Sequence, residues 1–142
     1  MRESALVKIV TASLNRQFGK ACYLNKNHGS QFTTVGRPDI EGNLFGRHFG
    51  FELKAGSRFS DKQVSHLKRI AEAGGMAGGI VHHGGCVYFL TVNQVANYSL
   101  RSRNKWTKIP MGRYLDFNFI YKYLNVFYLY YHGEHDEIIP RS

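Results

Sequence analysis

Cysteine and proline are scarce in this 142-residue chain, with two and three copies respectively. Two cysteines, Cys22 and Cys86, cannot build a disulfide framework, and neither has the closely spaced partners of a zinc site. We therefore expect both to be buried thiols. No apolar run is long enough to span a bilayer, and the opening residues, MRESALVK, lack the apolar segment of a signal peptide. The sequence predicts a cytoplasmic protein without membrane contact.

Acidic residues are also few, with 10 Asp and Glu against 19 Lys and Arg, which leaves a formal net charge of +9. A polyanionic partner is one reason for such an excess, because Lys and Arg neutralise phosphates and release their counterions. Solubility alone is the other reason, and charge does not separate the two. Hydrophobic residues make up 43% of the chain, which is typical of a globular protein and, at this length, of a single domain.

Apolar periodicity predicts an α/β fold in the order α-β-β-β-α-β-β. Residues 3–18 and 60–73 have helical spacing, and Ser60 with Gln63 forms a capping box at the start of the second helix. Residues 39–45 and 47–55 are predicted to form a hairpin that turns near Gly46. Further strands are predicted over 21–25, 77–82 and 86–91, and a loop over 26–37. These elements predict a mixed central sheet with a helix on each side.

The last third of the chain is harder to interpret. Residues 101–113 carry five basic side chains and no acidic one, and residues 114–131 are crowded with Tyr and Phe. The aromatic segment fits a strand and a helix equally well. We predict one domain over 1–142, with a core at about 3–92 and an aromatic C-terminal extension at about 93–142.

Two acids and one lysine form the pattern with the clearest chemistry. Glu52 follows Asp39 by thirteen positions, a spacing that lets a hairpin bring both carboxylates to one edge of the sheet. Such a pair suits Mg²⁺, which binds through one or two carboxylates, water and substrate phosphate. Lys54 shares the strand face of Glu52, where its ammonium can orient an attacking water or meet phosphate charge. The alternatives are a turn-capping Asp39 and a harmless surface ion pair.

The segments around these residues, GRPDIEG (36–42) and GFELKAG (50–56), resemble the PD-(D/E)XK nuclease motif. The chain is similar in particular to the VRR-NUC branch of that superfamily. That branch has an early helix with a glutamate, here Glu3, and a Ser-x-x-Gln helix that leads to an Ala-Gly turn, here Ser60 to Gln63 and Ala73-Gly74. The likeness covers roughly residues 3–90.

The resemblance implies a restriction-endonuclease-like core around a four-stranded mixed sheet, and Mg²⁺- or Mn²⁺-dependent hydrolysis of DNA. Relatives include structure-specific endonucleases of DNA repair and recombination and relatives of Holliday junction resolvases, often homodimeric and some encoded by phages, which act in the host cytoplasm. The implied catalytic residues are Asp39, Glu52, Lys54, Gln63 and Glu3. The implied metal-binding residues are Asp39, Glu52, Glu3 and Leu53.

Several of these residues have simpler interpretations. Glu3 also suits the positive end of a helix dipole, and Gln63 also suits a capping box without any part in chemistry. Glu41 shares the strand face of Asp39 and is a weaker candidate for a metal contact. His28, His82 and His83 read as ordinary loop or strand-end histidines.

Nucleic-acid contacts are expected from basic residues and one aromatic residue, although a solvated basic loop is an equal alternative for the C-terminal group. The candidates are Lys20, Lys26, Arg37, Arg58, Arg101, Arg103, Lys105 and Trp106. The sequence predicts an endonuclease acting on branched or junction DNA. The alternatives are a non-catalytic nucleic-acid-binding module with the same fold and a sequence-specific restriction-type endonuclease, and the choice between DNA and RNA stays open.

Overall fold

The computed structural model describes residues 1–25 and 38–123, which form a mixed α/β fold around one central sheet. The predicted loop over 26–37 lies outside these residues. In chain order the elements are α1 (Glu3–Phe18), a 3₁₀ turn (Gly19–Ala21), β1 (Cys22–Asn25), β2 (Ile40–Leu44), β3 (Arg47–Lys54), α2 (Asp61–Glu72), β4 (Met76–His83), β5 (Cys86–Thr91), α3 (Val92–Ala96), a second 3₁₀ turn (Leu100–Lys105) and β6 (Thr107–Ile109). The predicted helices and strands are confirmed, with shifts of one or two residues at their ends. None of the helices in the described residues combines the length and apolar character needed to cross a membrane.

The sheet has six strands in the order β1-β2-β3-β4-β5-β6, and β3 with β4 is its parallel pair. The four strands implied by the resemblance are therefore too few. β6 was missed because it has only three residues, Thr107 to Ile109, too few to show alternation, and it follows a basic stretch that looked like a loop.

The two faces of the sheet carry separate cores. On one face, α1 packs through Leu6, Val10 and Leu14 onto the apolar face of β3. On the other face, α2 packs over β3 and β4 and α3 packs over β4 and β5, with Leu67 and Val95 in the second core. Since the faces of β3 alternate, its apolar residues point to α1 while Gly50, Glu52 and Lys54 point to the α2 side.

The C-terminal third contributes to both cores. Leu115, Phe117 and Ile120 are buried in the first core, and residues 120–123 form a helical turn, beyond which the aromatic segment lies outside the described residues. Trp106 is only 6% exposed in the second core and packs against Tyr88 and Tyr98. Trp106, which we predicted to contact nucleic acid, is therefore part of the second core, where neighbouring aromatic rings cover it.

The two cysteines are free and half-buried, so the expectation of fully buried thiols is also wrong. Cys22 lies on β1, at one edge of the sheet, and Cys86 directly follows a turn, so neither is enclosed on all sides. Partial burial still raises the pKa of the Cys22 thiol.

Close packing between β1 and β2 gives a test of this fold. A methyl group added at Gly42 would overlap the main-chain carbonyl oxygen of Tyr23 on the neighbouring strand. We expect Gly42→Ala to lower the free energy of unfolding by about 1–3 kcal/mol, the usual cost of overpacking. Gly112→Ala is the matched control, since that position opens onto empty space, and it should change stability by less than about 0.5 kcal/mol. Urea denaturation that gives both variants the same midpoint would contradict this packing.

Candidate metal centre

The hairpin of β2 and β3 brings Asp39 beside Glu52. In its antiparallel register Ile40 pairs with Phe51, so Asp39 and Glu52 are the next positions facing each other. Oδ2 of Asp39 accepts a hydrogen bond of 2.9 Å from the main-chain N–H of Leu53. This bond ties the Asp39 carboxylate to the strand that carries Glu52.

The Glu52 carboxylate is buried at 2% exposure, and only half of it is satisfied. Oε1 accepts a hydrogen bond of 2.8 Å from Nε2 of Gln63. Oε2 is buried and has no hydrogen-bond partner among the described residues. An unpaired buried carboxylate oxygen is costly, and native proteins keep few of them.

Two glycines let other residues close over this carboxylate. Gly50 precedes Glu52 on the same strand face, and a side chain there would collide with Ile70 of α2. Gly79 of β4 pairs with Glu52, and a side chain there would collide with Phe59 and Val95. The α2 side of the sheet is therefore covered closely, which removes water from around the carboxylate.

The surroundings raise the pKa of Glu52 to about 10. Burial is the largest cause, followed by a hydrogen bond and charge repulsion from the Asp39 carboxyl group. Lys54 partly offsets the rise and Glu3 adds slightly to it. The hydrogen bond with Asp39 exists only when the pair carries a proton, so the Glu52 Oε2 lacks a partner when both acids are ionised. With its pKa raised to about 10, Glu52 keeps a proton at neutral pH in the metal-free site.

Gln63 connects the start of α2 to this pair. Its side-chain Oε1 accepts a hydrogen bond of 2.8 Å from the main-chain N–H of Ser60. The main-chain N–H of Gln63 donates to the Ser60 hydroxyl at 3.2 Å, which completes the predicted capping box. Its Nε2 donates to Glu52 at the same time. The predicted capping box is therefore confirmed, and the same side chain also contacts Glu52.

Glu3 lies at the margin of the site. Its Oε2 accepts a hydrogen bond of 3.3 Å from Ser57, in the loop after β3, and its charge is the smallest of the effects on Glu52. Within residues 1–25 and 38–123, no three His, Cys, Asp or Glu side chains come together in a group able to hold a metal ion. The structure therefore brings Asp39, Glu52, Lys54 and Gln63 together, and Glu3 acts on Glu52 only through its charge.

The residues at this point suit one hard divalent cation. Asp39 and Glu52 supply two carboxylates, and the unpaired Oε2 of Glu52 is an oxygen ligand that lacks a partner. Mg²⁺ needs no more protein carboxylates than this, since water and substrate phosphate complete its shell. The side chain of Leu53 is fully buried in the core, so it can contribute to a metal site only through its main chain.

Glu41, the weaker candidate on the same strand face, has a different partner. Its buried Oε2 lies 3.2 Å from Nε2 of His48 on β3. Sequence reasoning did not identify His48, although the hairpin places it diagonally across from Glu41.

The predicted nucleic-acid contacts are spread over the surface. Lys20 follows the C-terminal end of α1, about 24 Å along the helix from Glu3, so it does not approach the metal centre. Arg101, Arg103 and Lys105 are exposed on the second 3₁₀ turn. Arg58 follows β3 and lines a cavity together with Arg101 and with His82 and His83, two histidines that sequence reasoning set aside. Lys26 and Arg37 lie outside the described residues.

Comparison with known proteins finds similarity among solved structures. No protein-family model matches the chain, and no curated protein sequence does. Among solved structures, the chain is similar to Hjc, a Holliday junction resolvase from the archaeal hyperthermophile Archaeoglobus fulgidus. The likeness covers 76% of this chain and 83% of that one, with 12% sequence identity and a TM-score of 0.44. At that identity and TM-score it assigns neither a family nor an activity.

The raised pKa of Glu52 predicts an unusual effect on stability. Between its ordinary pKa of 4.5 and its folded value of about 10, the unfolded chain releases this proton while the folded chain keeps it. Stability of the metal-free protein therefore falls as pH rises through that window. Glu52→Gln removes the titration, and its amide can donate to Asp39, so we expect it to stabilise the protein in EDTA by about 1–3 kcal/mol at pH 8 and by less at pH 5.

Thermal unfolding in EDTA between pH 5 and 9 checks this expectation. Glu72→Gln, at an exposed position on α2, removes one acid without touching the site and should leave the pH dependence unchanged. If Glu52→Gln shows the same pH dependence as the unmodified chain, Glu52 is not the buried proton carrier.

Proposed function

We propose that this chain is a single-domain, divalent-metal-dependent nuclease of the PD-(D/E)XK type that hydrolyses phosphodiester bonds in branched or otherwise structured DNA. One observation carries the proposal. A buried glutamate, Glu52, has an unpaired carboxylate oxygen and lies beside a second acid, Asp39. Lys54 lies on the same strand face as Glu52, and its charge acts on that carboxyl group. That arrangement destabilises the metal-free fold, and such strained ionisable groups cluster at functional sites.

The residues divide into ligands and assistants. Asp39, Glu52 and the main chain of Leu53 would hold Mg²⁺ or Mn²⁺. A cation bound there would neutralise phosphate charge and make a nearby water more acidic. Lys54 lies on the same face as Glu52, where its ammonium would orient the attacking water and stabilise the charge that develops on the phosphate. Gln63 occupies one oxygen of Glu52, so the other is directed to the cation.

The charge of the molecule supports a polyanionic substrate. The net charge of +9 favours nucleic acid over small neutral substrates, and exposed cations on the second 3₁₀ turn are available to phosphates. The choice of branched DNA, and of a homodimer that makes paired cuts, comes from the sequence resemblance and is tested by the substrate panel below.

Cleavage of a substrate panel tests the proposal. Purified protein should cut at least one of a four-way junction, a flap and a splayed duplex in Mg²⁺ or Mn²⁺, and EDTA should stop the reaction. Asp39→Asn, Glu52→Gln and Lys54→Ala should each lower the rate on the order of 100-fold or more, because the first two each remove a proposed metal ligand and the third removes the ammonium that would meet phosphate charge.

Two controls define the result. The three variants should still bind the DNA in EDTA, and Lys62→Ala, which removes an exposed lysine from α2, should cut at the rate of the unmodified chain. Salt-dependent binding without cleavage in either metal would instead identify a non-catalytic nucleic-acid-binding module and refute the nuclease.

Gln63 can be tested against a second capping box in the same chain. Gln94 caps α3 with Thr91 through the same pair of hydrogen bonds. Its side-chain Nε2, however, donates to the main-chain carbonyl of Lys105 and not to a carboxylate. We expect Gln63→Ala and Gln94→Ala to lose similar stability, about 1 kcal/mol. Only Gln63→Ala should raise the Mg²⁺ concentration needed for half-maximal cleavage, because it alone removes the hydrogen bond that holds the Glu52 carboxylate in position. Equal metal dependence in both variants would leave Gln63 as a cap and nothing more.

A further inference from the structure

A cavity of about 630 Å³ lies at the carboxyl ends of the parallel strands β3 and β4. Its lining residues come from three segments: the loop after β3, the end of β4, and the chain that leads into the second 3₁₀ turn. They include Ser57, Arg58, His82, His83, Tyr98 and Arg101. Among the residues that the structure describes, no acidic side chain lines it. Its two arginines and two histidines favour an anionic ligand, and its volume is in the range of small-ligand sites.

Its two arginines are not committed to other protein groups. Within the described ranges, neither the Arg58 nor the Arg101 guanidinium makes a hydrogen bond or an ion pair. Arg103, by contrast, donates to the main chain of Leu100 in its own turn. Each free guanidinium offers a planar fork that matches the oxygens of a phosphate.

The groups inside the cavity respond to each other's charge. Burial raises the pKa of Tyr98, and the charge of Arg58 partly offsets that rise, which places the guanidinium near the phenol. Burial lowers the pKa of His82, and positive charge from the N-terminal amine and from His83 lowers it further. The cavity thus concentrates positive potential that no acidic lining residue balances.

We propose that this cavity binds a terminal phosphate monoester of a nucleic-acid strand. A phosphate monoester carries about −1.5 to −2 charges at pH 7 and three acceptor oxygens, so it can engage more than one arginine at once. A phosphodiester within a strand carries only one negative charge, and the strand continues on both sides of it. An internal phosphodiester therefore suits an open surface groove better than a cavity. Two unpaired guanidinium groups that line one cavity match the higher charge and the three oxygens of a strand end.

The cavity is close to the metal centre along the chain. Arg58 follows Lys54 by four residues, which limits the distance between their Cα atoms to about 14 Å. The proposed nuclease would therefore act on strands with a phosphorylated end and cut within a few nucleotides of it. This substrate class rests on the proposed function, but the binding itself does not require metal or catalysis.

Fluorescence anisotropy in EDTA tests the binding, at one salt concentration and with internally labelled oligonucleotide duplexes. The arms carry a 5′-phosphate, a 3′-phosphate or hydroxyl groups at both ends, and a deoxynucleoside monophosphate serves as competitor. We expect one phosphorylated arm to bind about tenfold more tightly than the hydroxyl arm. The arm that wins identifies which end enters the cavity.

Paired variants assign the effect to the cavity. R58A/R101A should reduce the preference for the phosphorylated arm to within about twofold. K68A/R69A removes two exposed cations from α2, outside the cavity. It should weaken the binding of all arms alike and keep the preference, because it lowers only the overall positive charge of the protein.

Two results would overturn the proposal: no preference for either phosphorylated end, or a preference that survives in R58A/R101A. The outcome is separate from the nuclease test. A preference without cleavage in any metal would uphold the cavity and reject the nuclease, whereas cleavage without a preference would do the reverse.

Discussion

The burial of the Glu52 carboxylate against Asp39 constrains the rest of the structure. Removing a carboxylate from water costs free energy, and a second acid beside it adds to that cost, so the metal-free chain holds a proton there. Stability alone would be served better by an apolar residue at this position. A divalent cation would reverse this cost, because the same two acids would then be its ligands. The strained carboxyl group of Glu52 therefore supports the proposed cation site.

Four parts of the fold support this one position. The β2–β3 hairpin sets Asp39 opposite Glu52, and the main-chain N–H of Leu53 holds the Asp39 side chain in place. The capping box of α2 holds Gln63, which takes one oxygen of Glu52. Gly79 across the parallel pair lets other side chains pack over the site. Apolar packing of α1 on the opposite face of β3 keeps that strand rigid beneath the carboxylate.

Local sequence patterns were sufficient to predict most of the helices and strands. The alternation of apolar and polar residues in β3 and the Ser60–Gln63 capping box both involve residues close together in the chain. They were also sufficient to nominate Asp39, Glu52, Lys54 and Gln63, which the fold brings together. Sequence could not show that Trp106 is buried, since its partners Tyr88 and Tyr98 come from separate elements. The arginine and histidine cavity was invisible for the same reason: three segments far apart in the chain meet only in the folded sheet.

Direct measurement of cation binding tests the account at its centre. Mn²⁺ binding followed by electron paramagnetic resonance should show a site in the unmodified chain that Mg²⁺ displaces. Asp39→Asn and Glu52→Gln should each weaken it at least about tenfold, since each removes one of two carboxylate ligands. Glu72→Gln should bind Mn²⁺ as the unmodified chain does. Undiminished binding in Glu52→Gln would contradict the assignment of the metal to this pair.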